Sequence, residues 1–197
     1  MSRYPDMEKR DKILEASIDF FGKYGYKKAT IKTIADKVGV APGTIYTYFK
    51  DKDELFISTI MEIWDVLINK IHEVLKNPSK SFKSRYLEVY TLAESLILKS
   101  HSLLLGMFSV SSRRKMLRDN LDRLCMALQP LFKEGSEAGF NMPHAEGEHA
   151  LFQIRIILSG ILFELSLVES KDLPEALKKI KKAAEAEFLR SATKERA

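Results

Sequence analysis

Two short helical patterns separated by a three-residue turn constrain the fold of this 197-residue chain more than any other feature. Thr30 can cap a first helix whose apolar residues recur at helical spacing as far as Val38. Gly39 tolerates the positive φ that ends such a helix. Pro42 suits the first position of a second helix, predicted over residues 42–49, because its missing N–H has no helical partner there. The pattern predicts a helix-turn-helix.

Helical periodicity continues on both sides of this turn. Residues 13–24 form an amphipathic run that should stop at Gly25 in the αL conformation. Asp51, with Glu54 three residues later, predicts the N-cap of a long helix that ends before Pro78. Further helices are predicted over 82–100, 102–111, 113–138, 145–169 and 174–192, with a kink or split at Pro130. No segment alternates with a period of two, so we predict an all-α fold of about nine helices.

The positive charge is concentrated around the predicted helix-turn-helix. Residues 23–52 contain seven lysines and two aspartates, a net charge of +5 that equals that of the whole chain. A basic block in an otherwise balanced chain indicates a polyanion partner. The second helix presents a small, polar and aromatic face that suits a DNA major groove, formed by Gly43, Thr44, Thr47 and Tyr48. Ile45 and Phe49, on the opposite face, are predicted core residues.

Residues 10–56 resemble the DNA-binding domain of the TetR/AcrR family of bacterial transcriptional regulators. The resemblance rests on four motifs: Phe-x-x-x-Gly-Tyr at 21–26, Thr-x-x-x-Ile-Ala-x-x-x-Gly-Val at 30–40, Gly-Thr-Ile-Tyr-x-Tyr-Phe at 43–49 and Lys-x-Glu-Leu at 52–55. It implies a three-helix, helix-turn-helix DNA-binding domain over 1–52. A larger helical ligand-binding and dimerisation domain would follow over 53–197.

The resemblance also implies DNA contacts by position. Thr30, at the N-terminus of the first helix, would hold a phosphate, and Lys32 would reach a phosphate or a base edge. Base-reading positions would be Pro42, Gly43, Thr44 and Thr47, and contacts to phosphate or the groove would come from Tyr46, Tyr48 and Lys52.

Two departures from the family pattern affect these assignments. Ala41 stands where the family often has a capping serine, so the second helix should lack a side-chain cap. Positions 42 and 43 carry no Lys, Arg or Gln, so bidentate reading of guanine or adenine is not available from them. Specificity would then depend on Thr44, Thr47, thymine methyl groups and DNA shape.

The remaining residues match the family only in their helical layout, which implies a homodimer paired through the last two long helices. Residues 151–168 are apolar nearly all round, so this helix must be buried on more than one side. Arg155 and Glu164 within it argue against a transmembrane helix and a membrane partner. The N-terminus lacks an apolar leader and Cys125 is the single cysteine, so we expect a cytoplasmic protein.

Soft and aromatic side chains of the body are candidates for binding a small, largely apolar effector. The tentative set is Trp64, Tyr86, Tyr90, Met107, Phe108, Met126, Phe152 and Arg155. Each apolar member can equally be an ordinary core residue. Arg155 needs a partner in its apolar helix, and that partner is either a protein carboxylate or an acidic group on a ligand.

Sequence signatures of enzymes are absent, including nucleophile elbows, phosphate loops and dinucleotide-binding loops. His144 and His149 are five residues apart and diverge by about 140° on a helix, which disfavours a metal site. We therefore expect no enzymatic activity, cofactor or metal. The predicted function is a ligand-responsive homodimer that represses transcription from a near-palindromic operator until an inducer releases it. The alternatives are a non-sequence-specific DNA-binding protein and a helical ligand-binding enzyme.

Overall fold

The structure, a computed structural model, describes residues 6–108, 114–142 and 147–189, which form eight helices. They are α1 (Met7–Lys28), α2 (Ile31–Val38), α3 (Pro42–Tyr46), α4 (Lys52–Leu75), α5 (Phe82–Phe108), α6 (Arg114–Glu137), α7 (Gly147–Leu167) and α8 (Leu173–Phe188). The predicted all-α fold is confirmed. The chain divides into two compact units, Met1–Val66 with Lys99–Val110 and Leu67–Leu98 with Ser111–Ala197. The domain boundary predicted after residue 52 stays a prediction.

In the first unit, the helix-turn-helix forms as its local sequence predicts. The Thr33 N–H donates to Thr30 Oγ1 at 3.1 Å, and the Thr30 N–H donates to Thr33 Oγ1 at 3.2 Å, so both threonines cap α2. Gly39 ends α2 in the αL conformation with φ 76° and ψ 35°. Pro42 begins α3, and Ala41 before it supplies no side-chain cap, as predicted.

Two boundaries in this unit differ from their predictions. Gly25 does have a positive φ of 71°, but its ψ of 168° lies outside the αL region, and helical structure resumes as far as Lys28. The second helix of the motif ends at Tyr46 instead of residue 49. There the backbone tightens, because the Tyr48 N–H donates to the carbonyl oxygen of Ile45 only three residues back.

Aromatic side chains and a close helix contact form the core of the first unit. Phe21 and Phe56 are fully buried, and their rings meet edge to face with centroids 5.1 Å apart. A Cβ atom added to Gly22 of α1 would lie 2.1 Å from the carbonyl oxygen of Lys99 in α5. Only a residue without a side chain permits this approach, which occurs beside Ser100, where α5 departs from helical geometry.

The predicted breaks in the longer helices have different outcomes. The two helices expected over 82–100 and 102–111 form the single helix α5, in which Ser100 has φ −119° and ψ 15°. The two predicted helices are therefore joined at a kink and are not separated by a loop. α6 runs continuously through Pro130 instead of splitting there. The described helix count is consequently eight, close to the nine predicted.

In the second unit, α7 and α8 share a core of Leu165, Leu173 and Leu177. The guanidinium of Arg85 on α5 donates to the carbonyl oxygens of Leu75 and Asn77 at 3.4 Å, and it pairs with Glu134 of α6. This arginine stabilises the end of α4, whose last carbonyl groups have no partners within the helix.

One described helix is long and apolar enough to cross a bilayer, judged by length and composition alone. Residues His149–Leu167 have a mean hydropathy of 1.7, and 17% of that segment is buried within the chain. Helices that pack in protein cores or interfaces meet the same criterion, so this observation is weak evidence for a membrane span.

Candidate nucleic-acid interface

α3 presents one face to solvent and buries the other. Ile45 is completely buried and Phe49 is 2% exposed, so these two side chains anchor the segment as predicted. The outward surface consists of the exposed residues Pro42, Gly43, Tyr46 and Thr47 and the partly exposed residues Thr44 and Tyr48. All six residues were candidates for contacting DNA. The structure therefore brings these candidates together on a surface that another molecule can reach.

Thr44 in α3 and Thr47, the C-cap residue that follows it, are the two threonines of this surface. Thr47 Oγ1 donates to the carbonyl oxygen of Thr44 at 2.7 Å, which fixes its rotamer and leaves its oxygen able to accept. Thr44 is partly buried. Thr47 can therefore present a methyl group and an acceptor, whereas its proton is already used within the helix.

The first turn of α2 combines exposure with a helix N-terminus. Thr30, Lys32 and Thr33 are all exposed. The unpaired N–H groups and the dipole of a helix N-terminus favour an anion. Thr30 Oγ1 accepts the capping bond from the Thr33 N–H and also lies 3.1 Å from Thr33 Oγ1, whose own proton is donated to the Thr30 carbonyl oxygen, so the Thr30 hydroxyl is engaged within the turn. The geometry at this turn suits a negatively charged oxygen.

Lys52 lies at the start of α4, whose N-terminus is capped as predicted. The Glu54 N–H donates to Asp51 Oδ1 at 2.8 Å. In a capping box, the Glu54 carboxylate would accept from the N–H of the N-cap residue Asp51. Here it accepts from the N–H of Lys50, one residue earlier, at 2.5 Å. Partial burial lowers the pKa of Lys52 below its ordinary value of 10.5, and the charge of Asp53 opposes that shift.

Sequence reasoning did not assign a role to Tyr26, which contacts this turn. The Lys52 Nζ lies 4.5 Å from the centroid of the Tyr26 ring, and the Tyr26 hydroxyl donates to Asp53 Oδ1. The only available signal was its position in the Phe-x-x-x-Gly-Tyr motif, which indicates importance without indicating a contact. A basic side chain, an aromatic ring and a carboxylate therefore meet beside the predicted DNA-binding surface.

The family model for "Bacterial regulatory proteins, tetR family" matches residues 13–59, which include α2, α3 and the beginning of α4. This segment matches the TetR family. Among curated relatives, the "Fatty acid metabolism regulator protein" of Bacillus subtilis (strain 168) is 32% identical over 91 residues, covering 46% of either chain. The "HTH-type transcriptional repressor KstR2" of Mycolicibacterium smegmatis is 28% identical over 67 residues, covering 34% of this chain and 33% of the relative. The chain spans about half the length, or less, of these relatives.

The likeness extends further along the chain in three dimensions. The "fatty acid degradation regulator FadR from Bacillus halodurans" aligns with a TM-score of 0.64 at 22% sequence identity. That alignment covers 92% of this chain and 95% of the other. At this identity the likeness establishes the fold alone.

The candidates for effector binding differ in how far they are buried. Trp64 is 8% exposed, and Tyr86 and Tyr90 are partly buried, whereas Met126 and Phe152 are 55% and 54% exposed. The Tyr90 hydroxyl donates to the carbonyl oxygen of Leu177 at 2.6 Å. The side chains of Met107 and Phe108 lie outside the described residues, as do those of His144, Glu146 and Glu148.

Arg155 has a partner within the chain. Its Nε lies 3.0 Å from Asp122 Oδ1 of α6, as an ion pair without hydrogen-bond geometry. Burial raises the pKa of the neighbouring Cys125 thiol to about 11, although the charge of Arg155 opposes that shift. Cys125 is therefore a protonated thiol near neutral pH. No group of three or more metal-binding side chains is found among the described residues.

Proposed function

We propose that this protein is a cytoplasmic, homodimeric, TetR-family repressor that binds a near-palindromic DNA operator and is released by a small apolar effector. The observation that carries the proposal is the surface of α3, where potential DNA contacts are exposed while Ile45 and Phe49 are buried. The net charge of +5 over residues 23–52 favours a polyanion at this surface. The comparison with named transcriptional regulators supports the same function.

The proposed DNA contacts fall into two groups. Thr44 and Thr47, with the backbone at Pro42 and Gly43, read bases in the major groove. Thr30, Lys32, Tyr46, Tyr48 and Lys52 contact phosphates or the edges of the groove. Since neither Pro42 nor Gly43 can bind a base through its side chain, thymine methyl contacts and DNA shape carry much of the specificity.

An apolar face of α7 that is exposed among the described residues supports the proposed homodimer. Phe152, Ile156, Phe163 and Leu167 are each more than half exposed, and they lie within about 60° of one another around the helix. Ile154 and Leu165 are completely buried on the opposite side. A second apolar face on a helix marks an interaction surface, and an identical helix is the simplest partner for it. Phe152 is then better assigned to the dimer than to the effector.

Fatty-acyl compounds are the first effectors to test, because two of the relatives named above are fatty acid regulators. Tyr86 and Tyr90, both partly buried in the second unit, are the proposed contacts for such an effector. Arg155 could bind an acidic effector group by exchanging its present partner Asp122. Successive major grooves on one face of DNA are about 34–36 Å apart. A bound effector would favour a dimer in which the distance between the two α3 helices no longer matches that spacing.

Selection of duplexes from a random-sequence library tests the DNA-binding proposal. We expect the full chain to enrich two related half-sites, and Thr47→Ala to change base preference at paired positions within them. If the chain binds the duplexes with similar affinity and no sequence is enriched, it is instead a non-sequence-specific DNA-binding protein. Turnover of a bound acyl compound, without enrichment of any duplex, would support the enzyme alternative.

The dimer interface has its own test. Phe163→Asp places a charge on the exposed face of α7 and should convert the dimer to monomers in sedimentation velocity. Leu98→Asp is the matched control, because Leu98 is also an exposed apolar side chain but lies on α5. A dimer that survives Phe163→Asp, or is lost equally with Leu98→Asp, would contradict the proposed interface.

A further inference from the structure

Tyr26 contacts both charged residues that open α4. The ammonium of Lys52 lies 4.5 Å from the centroid of the Tyr26 ring, within the range at which the face of an aromatic ring attracts a cation. The hydroxyl of the same tyrosine donates to the Asp53 carboxylate. A residue in the last turn of α1 therefore interacts with a cation and an anion that are adjacent in sequence at the start of α4.

The Tyr26 ring is itself held in place by the core. It meets the ring of Phe56 edge to face at 5.0 Å and stacks on that of Phe21 at 6.3 Å. Gly25 immediately before it departs from helical geometry, which turns the chain at this point. Tyr26 consequently offers a fixed aromatic surface to the flexible side chain of Lys52.

Lys52 needs such support if it is to bind a phosphate efficiently. A lysine carries its charge on a flexible stem, and ordering that stem opposes binding. The adjacent Asp53 presents a second difficulty, because its carboxylate can pair with the ammonium and repels phosphate. The contacts made by Tyr26 address both problems.

We infer that Tyr26 is a positioning residue for the phosphate contact of Lys52, an inference that rests on the proposed DNA-binding function. Its ring orders the lysine stem before DNA arrives. Its hydroxyl occupies the Asp53 carboxylate, which then competes less for the ammonium. The partial burial that lowers the pKa of Lys52 agrees with a side chain held against the protein surface.

A double-mutant cycle measures whether Tyr26 acts through Lys52. The full chain is titrated with one defined 30-base-pair duplex over a range of salt concentrations. We expect Tyr26→Leu to weaken binding about tenfold for a dimer with two such pairs, because two lysine side chains must then be ordered on binding DNA. The same change in a Lys52→Ala background should alter affinity less than about twofold, since the residue being positioned is absent. Equal weakening in both backgrounds would overturn the inference.

Tyr24→Leu is the matched control for this cycle. Lys23 lies 5.1 Å from the Tyr24 ring, so the pair has the same chemistry on the exposed side of α1. We expect its removal to leave duplex affinity unchanged. A loss comparable with that of Tyr26→Leu would mean that any lysine–tyrosine pair in this basic region has the same effect, which would also overturn the inference.

Nuclear magnetic resonance of the free full chain gives a readout that needs no DNA. The ring of Tyr26 should shift the Lys52 side-chain methylene signals upfield, and this shift should persist in Tyr26→Phe and disappear in Tyr26→Leu. An unshifted Lys52 signal in the wild type would overturn the inference while leaving the proposed function intact. By contrast, if the Lys52 signals are shifted upfield as expected but the chain shows no salt-dependent binding of duplex DNA, the proposed function itself is contradicted.

The role of the hydroxyl is tested without disturbing the ring. Tyr26→Phe removes the hydroxyl that donates to Asp53, so Asp53→Asn should strengthen duplex binding more in the Tyr26→Phe background than in the wild type. An equal gain in both backgrounds would show that the hydroxyl does not restrain the carboxylate. This comparison also remains informative if Tyr26→Leu fails to fold.

Discussion

Substitution of Gly22 by alanine tests how closely α1 and α5 approach within the first unit. The added Cβ would lie 2.1 Å from the carbonyl oxygen of Lys99, whereas ordinary contacts begin near 3.4 Å. Two backbone segments, rather than one flexible side chain, must therefore separate by more than an ångström. Overpacking of this kind costs about 1–3 kcal/mol, while replacing a helical glycine returns up to about 1 kcal/mol. We expect a net loss of about 2 kcal/mol.

Thermal unfolding followed by far-ultraviolet circular dichroism measures this loss. For a chain of this size, the expected loss corresponds to a Tm lower by about 4–8 °C. Gly43→Ala is the control, because Gly43 is also helical but has open space where its Cβ would lie. The control should keep or raise the Tm. If Gly22→Ala is as stable as the wild type, the close approach of α1 to Lys99 is wrong.

Three further predictions concern the second unit. Arg85→Met removes the pairing with Glu134 and the hydrogen bonds to the end of α4, so it should reduce stability by about 2 kcal/mol in urea denaturation; an unchanged midpoint would contradict this role. Gly135→Ala would place a Cβ atom 2.5 Å from the Phe82 ring, so it should lower the Tm. Adding Phe82→Leu to this variant should raise the Tm again in part if that contact is the cause. Burial raises the pKa of Tyr86 to about 12, so the folded state keeps a phenol proton that the unfolded state loses above pH 10. The stability of the wild type should therefore fall between pH 10 and 12, and it should fall less steeply in Tyr86→Phe. Parallel stability curves for the two proteins would refute this.

The features predicted correctly from the sequence depend on neighbouring residues. The cap at Thr30, the αL end at Gly39 and the cap at Asp51 each involve side chains and backbone groups within about four residues. Such interactions can be inferred without knowing where the rest of the chain lies. The same locality explains why the positions of most helices agree with their predictions.

The features that sequence reasoning missed depend on distant partners. Tyr26 reaches Lys52 and Asp53 only because α1 and α4 pack together, and the intervening sequence does not encode that distance in any local pattern. Arg155 was correctly expected to need a partner, but periodicity could not select Asp122 on another helix. Hydropathy likewise could not distinguish the buried side of α7 from the exposed side that carries Phe152.

Methylation interference on a selected duplex tests most directly the central claim that α3 binds DNA in the major groove. Guanine N7 lies in the major groove and adenine N3 in the minor groove, so their methylation distinguishes the two surfaces. We predict interference from N7 methylation in two clusters one helical turn apart, one for each α3 of a dimer. Interference confined to adenine N3, or absent from both grooves while binding persists, would contradict the account.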